Sequence, residues 1–159
     1  MNAIVVYIDV DYGQASGVAT TSTLTDEQGA VDNALGGVLS FTDPSFGAEL
    51  GFASLDQSDY WPGEGDAAAA NAGWRSFEDL TNLGWLLEGP VVGDAAGIEA
   101  SIPLAALYPA ATDEERTLGF GVRLVNASGD YVSNQALPGL SGDEPEATNA
   151  QVSTLAITY

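Results

Sequence analysis

The sequence predicts an all-β domain, an antiparallel sandwich of jelly-roll type with about seven or eight short strands and little helix. Three observations lead there. Short runs of alternating or wholly apolar residues are separated by Gly, Pro and Asp turn signals. Helical spacing is confined to one weak stretch and one short turn. The opening run AIVVYI, residues 3–8, is apolar on both faces: Ile4, Val6 and Ile8 on one, Ala3, Val5 and Tyr7 on the other. Such a strand belongs in the middle of a packed sheet, with a neighbour on each side for its backbone donors and acceptors. Both neighbours must come from later residues or from another chain.

The remaining elements follow in order. Residues 12–22 are polar and small, a loop. Residues 24–35 have weak helical spacing through Leu24, Ala30, Ala34 and Leu35, interrupted by Gly29 and ended by Gly36-Gly37. Residues 38–41 read as a short strand stopped at Asp43-Pro44. In residues 48–54, Ala48, Leu50 and Phe52 alternate with Glu49, Gly51 and Ala53, a strand with one buried face. A long connection, 55–73, carries Tyr60, Trp61 and several acids. Residues 74–85 fit strand, turn and strand or a broken helix, with Trp74 and Trp85 assigned to the core. Residues 97–102 form a one-face strand ended by Pro103, and LAALYP is a helical turn. Residues 118–125 form a strand with Leu118, Phe120, Val122 and Leu124 inward. Arg123 falls on the other face, where Glu99 would pair with it if the two strands are neighbours. Residues 131–140 begin extended and end in a Pro-Gly turn, 142–149 form an acidic loop, and 152–159 form the last strand. No linker divides the chain, so residues 1–159 make one domain.

Charge narrows the function. There are 23 acidic residues against 3 basic ones, a net −20, and no lysine. Nucleic acid and anionic membranes would be repelled, and no apolar run is long enough for membrane insertion. Self-repulsion of this size calls for counter-ions, either a salty medium or bound cations. With no cysteine and no histidine, thiol and imidazole catalysis and the common zinc sites are absent. Serine nucleophiles have no histidine base, and no pair of carboxylates is singled out by spacing, so the chain reads as no enzyme. Oxygen-ligand metals remain, Ca²⁺ foremost. Asp9-x-Asp11-x-Gly13 at the end of the first strand is how a Ca²⁺ loop begins: hard oxygens at alternate positions, then a glycine that lets the backbone curl. Asp26, Glu27 and Asp32 are the candidates to complete it. Tyr60 and Trp61, beside Asp59 and Glu64, suit a sugar site, with flat rings for the C–H faces and acids for the hydroxyls.

Three segments carry a family resemblance. VVYIDVD (5–11) resembles the aspartate-ended strand of family 9 carbohydrate-binding modules and the related DOMON-like sandwiches. GIEASIPLAAL (97–107) resembles their Glu-containing strand with its Ile-Pro, matched by Glu99 and Ile102-Pro103. LGFGVRLVN (118–126) resembles their Gly-Phe strand. The resemblance implies a jelly-roll-like sandwich, often Ca²⁺-stabilised, that binds sugars or, in some DOMON domains, haem. Haem is disfavoured here, since there is no histidine and the single methionine is Met1. The expected function is a noncatalytic carbohydrate-binding module of a secreted or cell-surface protein, with a polysaccharide or glycan as partner. The alternative is a self-assembling extracellular subunit, of a fibre or surface layer, joined by β-strand addition.

Overall fold

The computed structural model describes residues 2–14, 16–24, 30–36, 39–55, 72–77, 84–85, 91–94, 97–108, 113–126, 132–139, 148–149 and 153–158. The strands are β1 (Asn2–Asp9), β2 (Ser40–Phe41), β3 (Leu50–Leu55), β4 (Ala72–Ser76), β5 (Gly84–Trp85), β6 (Val91–Asp94), β7 (Gly97–Ala100), β8 (Glu115–Asn126), β9 (Val132–Leu137), β10 (Thr148–Asn149) and β11 (Ser153–Thr158). The described helices are short: α1 (Ala30–Leu35), α2 (Leu104–Leu107) and a 3₁₀ turn, Thr21–Thr23. The fold is all-β.

Seven strands form one antiparallel sheet in the order β11-β8-β1-β3-β4-β5, with β9 also on β8. β1 is central, as its two apolar faces require. Ile8 pairs with Leu50 of β3 on one side and Phe120 of β8 on the other. Both neighbours therefore come from later in the same chain, and β1 is not a strand in search of a partner. β8 is twelve residues long. One side pairs with β1. The other takes β11 along residues 115–120 and β9 along 122–125, end to end. β6 with β7, and β10 with β2, make two separate two-stranded sheets.

The first face of the main sheet holds the larger core. Ala3, Val5 and Tyr7 are buried beneath Val18, Leu24, Val31, Ala34, Leu35, Leu39, Phe41 and Phe46. The cover described there is α1, the 3₁₀ turn and the loops around them, not a second large sheet. Tyr7 anchors this layer. Its hydroxyl donates to the Leu35 carbonyl at 2.9 Å, and its ring meets Phe41 edge-on at 5.2 Å. Burial pushes its phenol well above the usual range. Asp32 of α1 and Arg75 of β4, both buried, form an ion pair at 2.5 Å between Arg75 Nε and Asp32 Oδ1. Arg75 also donates through Nη1 to the Trp74 carbonyl at 2.8 Å.

β8 overturns its expected orientation. The residues it turns to the first face are Gly119, Gly121, Arg123 and Val125, in register with Asp9, Tyr7, Val5 and Ala3. Arg123 is only 1% exposed. Leu118, Phe120, Val122 and Leu124 lie half-buried on the second face. The physical reason is space. A Cβ at Gly119 would lie 2.8 Å from a ring carbon of Tyr12 and 2.9 Å from one of Phe46, so large side chains from other segments fill what β8 leaves open. β7 and β8, which would have brought Glu99 to Arg123 as neighbours, do not pair among the described residues: β7 pairs with β6, and β8 with β1, β9 and β11.

Coverage of the second face is graded. Phe52 and Trp74 are buried there at a 5.0 Å ring separation, with Val6, Ile8 and Ile102 packed on them. Farther across, Ile4 is 41%, Leu155 53% and Leu137 59% exposed.

Candidate functional site

The chemistry-bearing cluster lies where β1 ends. Its position follows from the antiparallel register. Because Ile8 pairs with Leu50, the residue entering β3 sits beside the residue leaving β1. Glu49 is thus brought to Asp9, and its N–H donates to the Ile8 carbonyl at 3.0 Å. One carboxylate oxygen from each of Asp9, Asp11 and Glu49 lies within 4.8 Å of the others, the one such group among the described residues.

Local backbone geometry fixes each acid. Asp9 continues the inward row of β1 and is buried. Its Oδ1 accepts from the Asp11 N–H at 2.9 Å, which closes an Asx turn, and its Oδ2 accepts from the Gly47 N–H at 3.0 Å. Gly47 must be glycine, because a Cβ there would run into the Ser16 carbonyl. Glu49 Oε2 accepts from the Val10 N–H at 3.0 Å. The turn is held by Gln14 N–H to Asp11 O at 3.0 Å and Gly13 N–H to Ser45 O at 3.0 Å, with Gly13 at φ 99°. Nearby, the Tyr108 hydroxyl donates to the Val10 carbonyl at 2.7 Å, and the Arg116 guanidinium lies 4.8 Å from the Tyr108 ring centre.

Proton counting sharpens the electrostatics. Ser16 Oγ lies 2.8 Å from Asp11 Oδ1 and 2.5 Å from Glu49 Oε1. A hydroxyl carries one hydrogen. It can donate to one of these oxygens, so the second contact needs another positive charge or a proton on a carboxyl. Burial pushes Glu49 up to about 7. Hydrogen bonds from Ser16 and the Val10 N–H oppose the rise, and the charges of Asp9 and Asp11 add to it. Asp9 is raised as well, by burial first.

Three oxygens within 4.8 Å of one another would each lie at most about 2.8 Å from an ion between them, close to the 2.3–2.6 Å of Ca²⁺–oxygen bonds. Each accepting oxygen keeps a lone pair beyond its backbone hydrogen bond. The donor set is hard oxygen throughout, which suits Ca²⁺ or Mg²⁺ and not softer metals.

Of the metal ligands expected from the sequence, Asp9 and Asp11 come together here. Asp32 does not join them; it is spent on Arg75 in the core. Asp26 and Glu27 lie outside the described residues, as do all four expected sugar-site residues, Asp59, Tyr60, Trp61 and Glu64. Trp74 is in the core as expected. Glu49 is the addition. Its signal in the sequence was an acid at the mouth of the strand that pairs with an aspartate-ended one. The chain matches no family model, no curated protein and no solved structure.

Proposed function

We propose that this chain is a noncatalytic, Ca²⁺-stabilised β-domain that serves a secreted or cell-surface protein as a carbohydrate-binding module. The observation that carries the reading is the carboxylate triad at the end of the central strand, with Asp9 buried and Asp11 and Glu49 half-buried. At an effective dielectric near 20, two charges 4.8 Å apart, the widest separation in this group, repel by about 3.5 kcal/mol. Three carboxylates held that close, Asp9 and Glu49 by backbone N–H groups and Asp11 by the Ser16 hydroxyl, are a costly arrangement unless a divalent cation offsets them. A bound ion would tie the β1 turn to the entry of β3 and the Ser16 loop. Millimolar extracellular Ca²⁺ suits a site with few protein ligands.

Carbohydrate is the ligand class favoured by the family resemblance and by Tyr60-Trp61 among acids. The test has two stages. Thermal unfolding in EGTA and in millimolar Ca²⁺ should show a melting point raised by several degrees, through mass action on the native state. Affinity electrophoresis on polysaccharides should then show retardation that Trp61→Ala abolishes. Equal melting in EGTA and Ca²⁺ removes the ion; equal mobility of parent and variant on every polysaccharide removes the sugar site.

A further inference from the structure

We infer that β11 is the edge through which two copies of this chain join, strand to strand and antiparallel, about a twofold axis. The inference stands apart from the binding-module reading. Among the described residues, β11 is the outermost strand on its flank and β8 is its neighbour. Leu155 and Ala156 are successive, so they point to opposite faces of the sheet. Both are exposed. At these two positions the strand is open on both faces.

Proteins guard such edges with charge, proline, bulges or brevity. β9, on the same side of β8, has a register break opposite it and Pro138 directly after it. β11 has none of these. Its six residues STLAIT contain no charge and no proline, and they pair with β8 in unbroken register. This is in a chain of net charge −20. Two copies repel each other over most of their surface, and an uncharged edge is where they can meet.

The occupant follows from self-complementarity. Residues opposed across an antiparallel pair lie on the same face. Pairing β11 with itself on Leu155 sets that side chain against the partner's Leu155. Leu155 is already the cross-strand partner of Leu118. The dimer would extend that pair into a row of four leucines across two copies, within one continuous sheet. One short strand offers less than the ~800 Å² per partner of standard interfaces, so the dimer should be weak and concentration-dependent.

The chain has no cysteine, so Leu155→Cys carries a single thiol. Directly opposed residues have Cα atoms about 4.5–5.5 Å apart, within disulfide range. Leu137→Cys is the control, equally exposed but on β9. Under mild oxidation, Leu155→Cys should form covalent dimers at least about tenfold faster than Leu137→Cys. In sedimentation at 0.5 M NaCl, which screens the net charge, Leu155→Lys should weaken the parent's dimer about tenfold or more, because it opposes like charges. Its melting point should match the parent's. Equal crosslinking rates at the two positions, or a dimer that Leu155→Lys leaves intact, overturns the inference.

Discussion

Replacing Glu49 by glutamine tests the candidate site most directly, because it should act in opposite directions with and without cation. Glu49 titrates at about 7 in the fold against an ordinary 4.5. The sign follows from linkage. A carboxyl whose folded value is raised adds stability below the unfolded value, and that stability is lost as pH rises through the folded one. Cation-free protein should therefore lose stability from pH 4.5 to beyond pH 7. A fully enclosed group would account for about 3 kcal/mol over this range. Glu49 is half-buried, and solvent screening reduces the figure to about 1–2 kcal/mol. Glutamine keeps an oxygen for the Val10 N–H and removes the charge. In EGTA at pH 8, Glu49→Gln should melt higher than the parent by roughly 2–8 °C, at 2–4 °C per kcal/mol for a chain of this size. At pH 4.5 the two should coincide. In Ca²⁺ at a hundred times its dissociation constant the parent gains about 2.7 kcal/mol, which the variant should largely forgo, so their order reverses. Differential scanning calorimetry at the two pH values, with EGTA and with Ca²⁺, reads all four corners. A variant that is destabilised equally in all of them would refute the reasoning, leaving Glu49 as an ordinary structural acid.

Other perturbations probe the frame around the site. Asp32→Ala removes the carboxylate paired with the buried Arg75 and should cost about 3–5 kcal/mol in chemical denaturation, with the Ca²⁺ shift preserved in whatever folds. Gly119→Ala forces a methyl against Tyr12 and Phe46 and should cost about 1–3 kcal/mol. Ala136→Gly on neighbouring β9 should cost less than about 1 kcal/mol. Similar losses for the two would refute the packing account of β8.

Much of the fold was legible in local pattern, and what was not depended on pairing. Two-faced apolarity in residues 3–8 correctly located a central strand, because that property needs no knowledge of which strands flank it. The turn LAALYP and the strand–turn–strand alternative for residues 74–85 also read directly: α2 forms, and β4 and β5 pair with each other. β8 was read the wrong way round because a strand's apolar parity is ordinarily its core parity. Here glycine and arginine occupy the core side, and aromatic residues from distant segments fill the gap. β10 lies in what looked like an acidic loop, and its parallel pairing with β2 has no local signature. The candidate site divides the same way. Asp9-x-Asp11-x-Gly13 was visible as a motif, whereas Glu49 joins it only through the β1–β3 register, and Asp32 left the ligand set because a buried arginine claimed it.

The pairing of β8 also decides how this domain would bear load. β1 and β11 both run antiparallel to β8, so they run parallel to each other. Asn2 lies against Asn126 and Thr158 against Glu115, at opposite ends of one long strand. Tension between residues 2 and 158 would pull along the two ladders, not peel them open. Every rung would be strained together instead of one after another, and rupture would require many hydrogen bonds to fail at once. Forced unfolding is governed by the unfolding rate and not by equilibrium stability, so the domain should resist stretching more than its melting point alone would indicate.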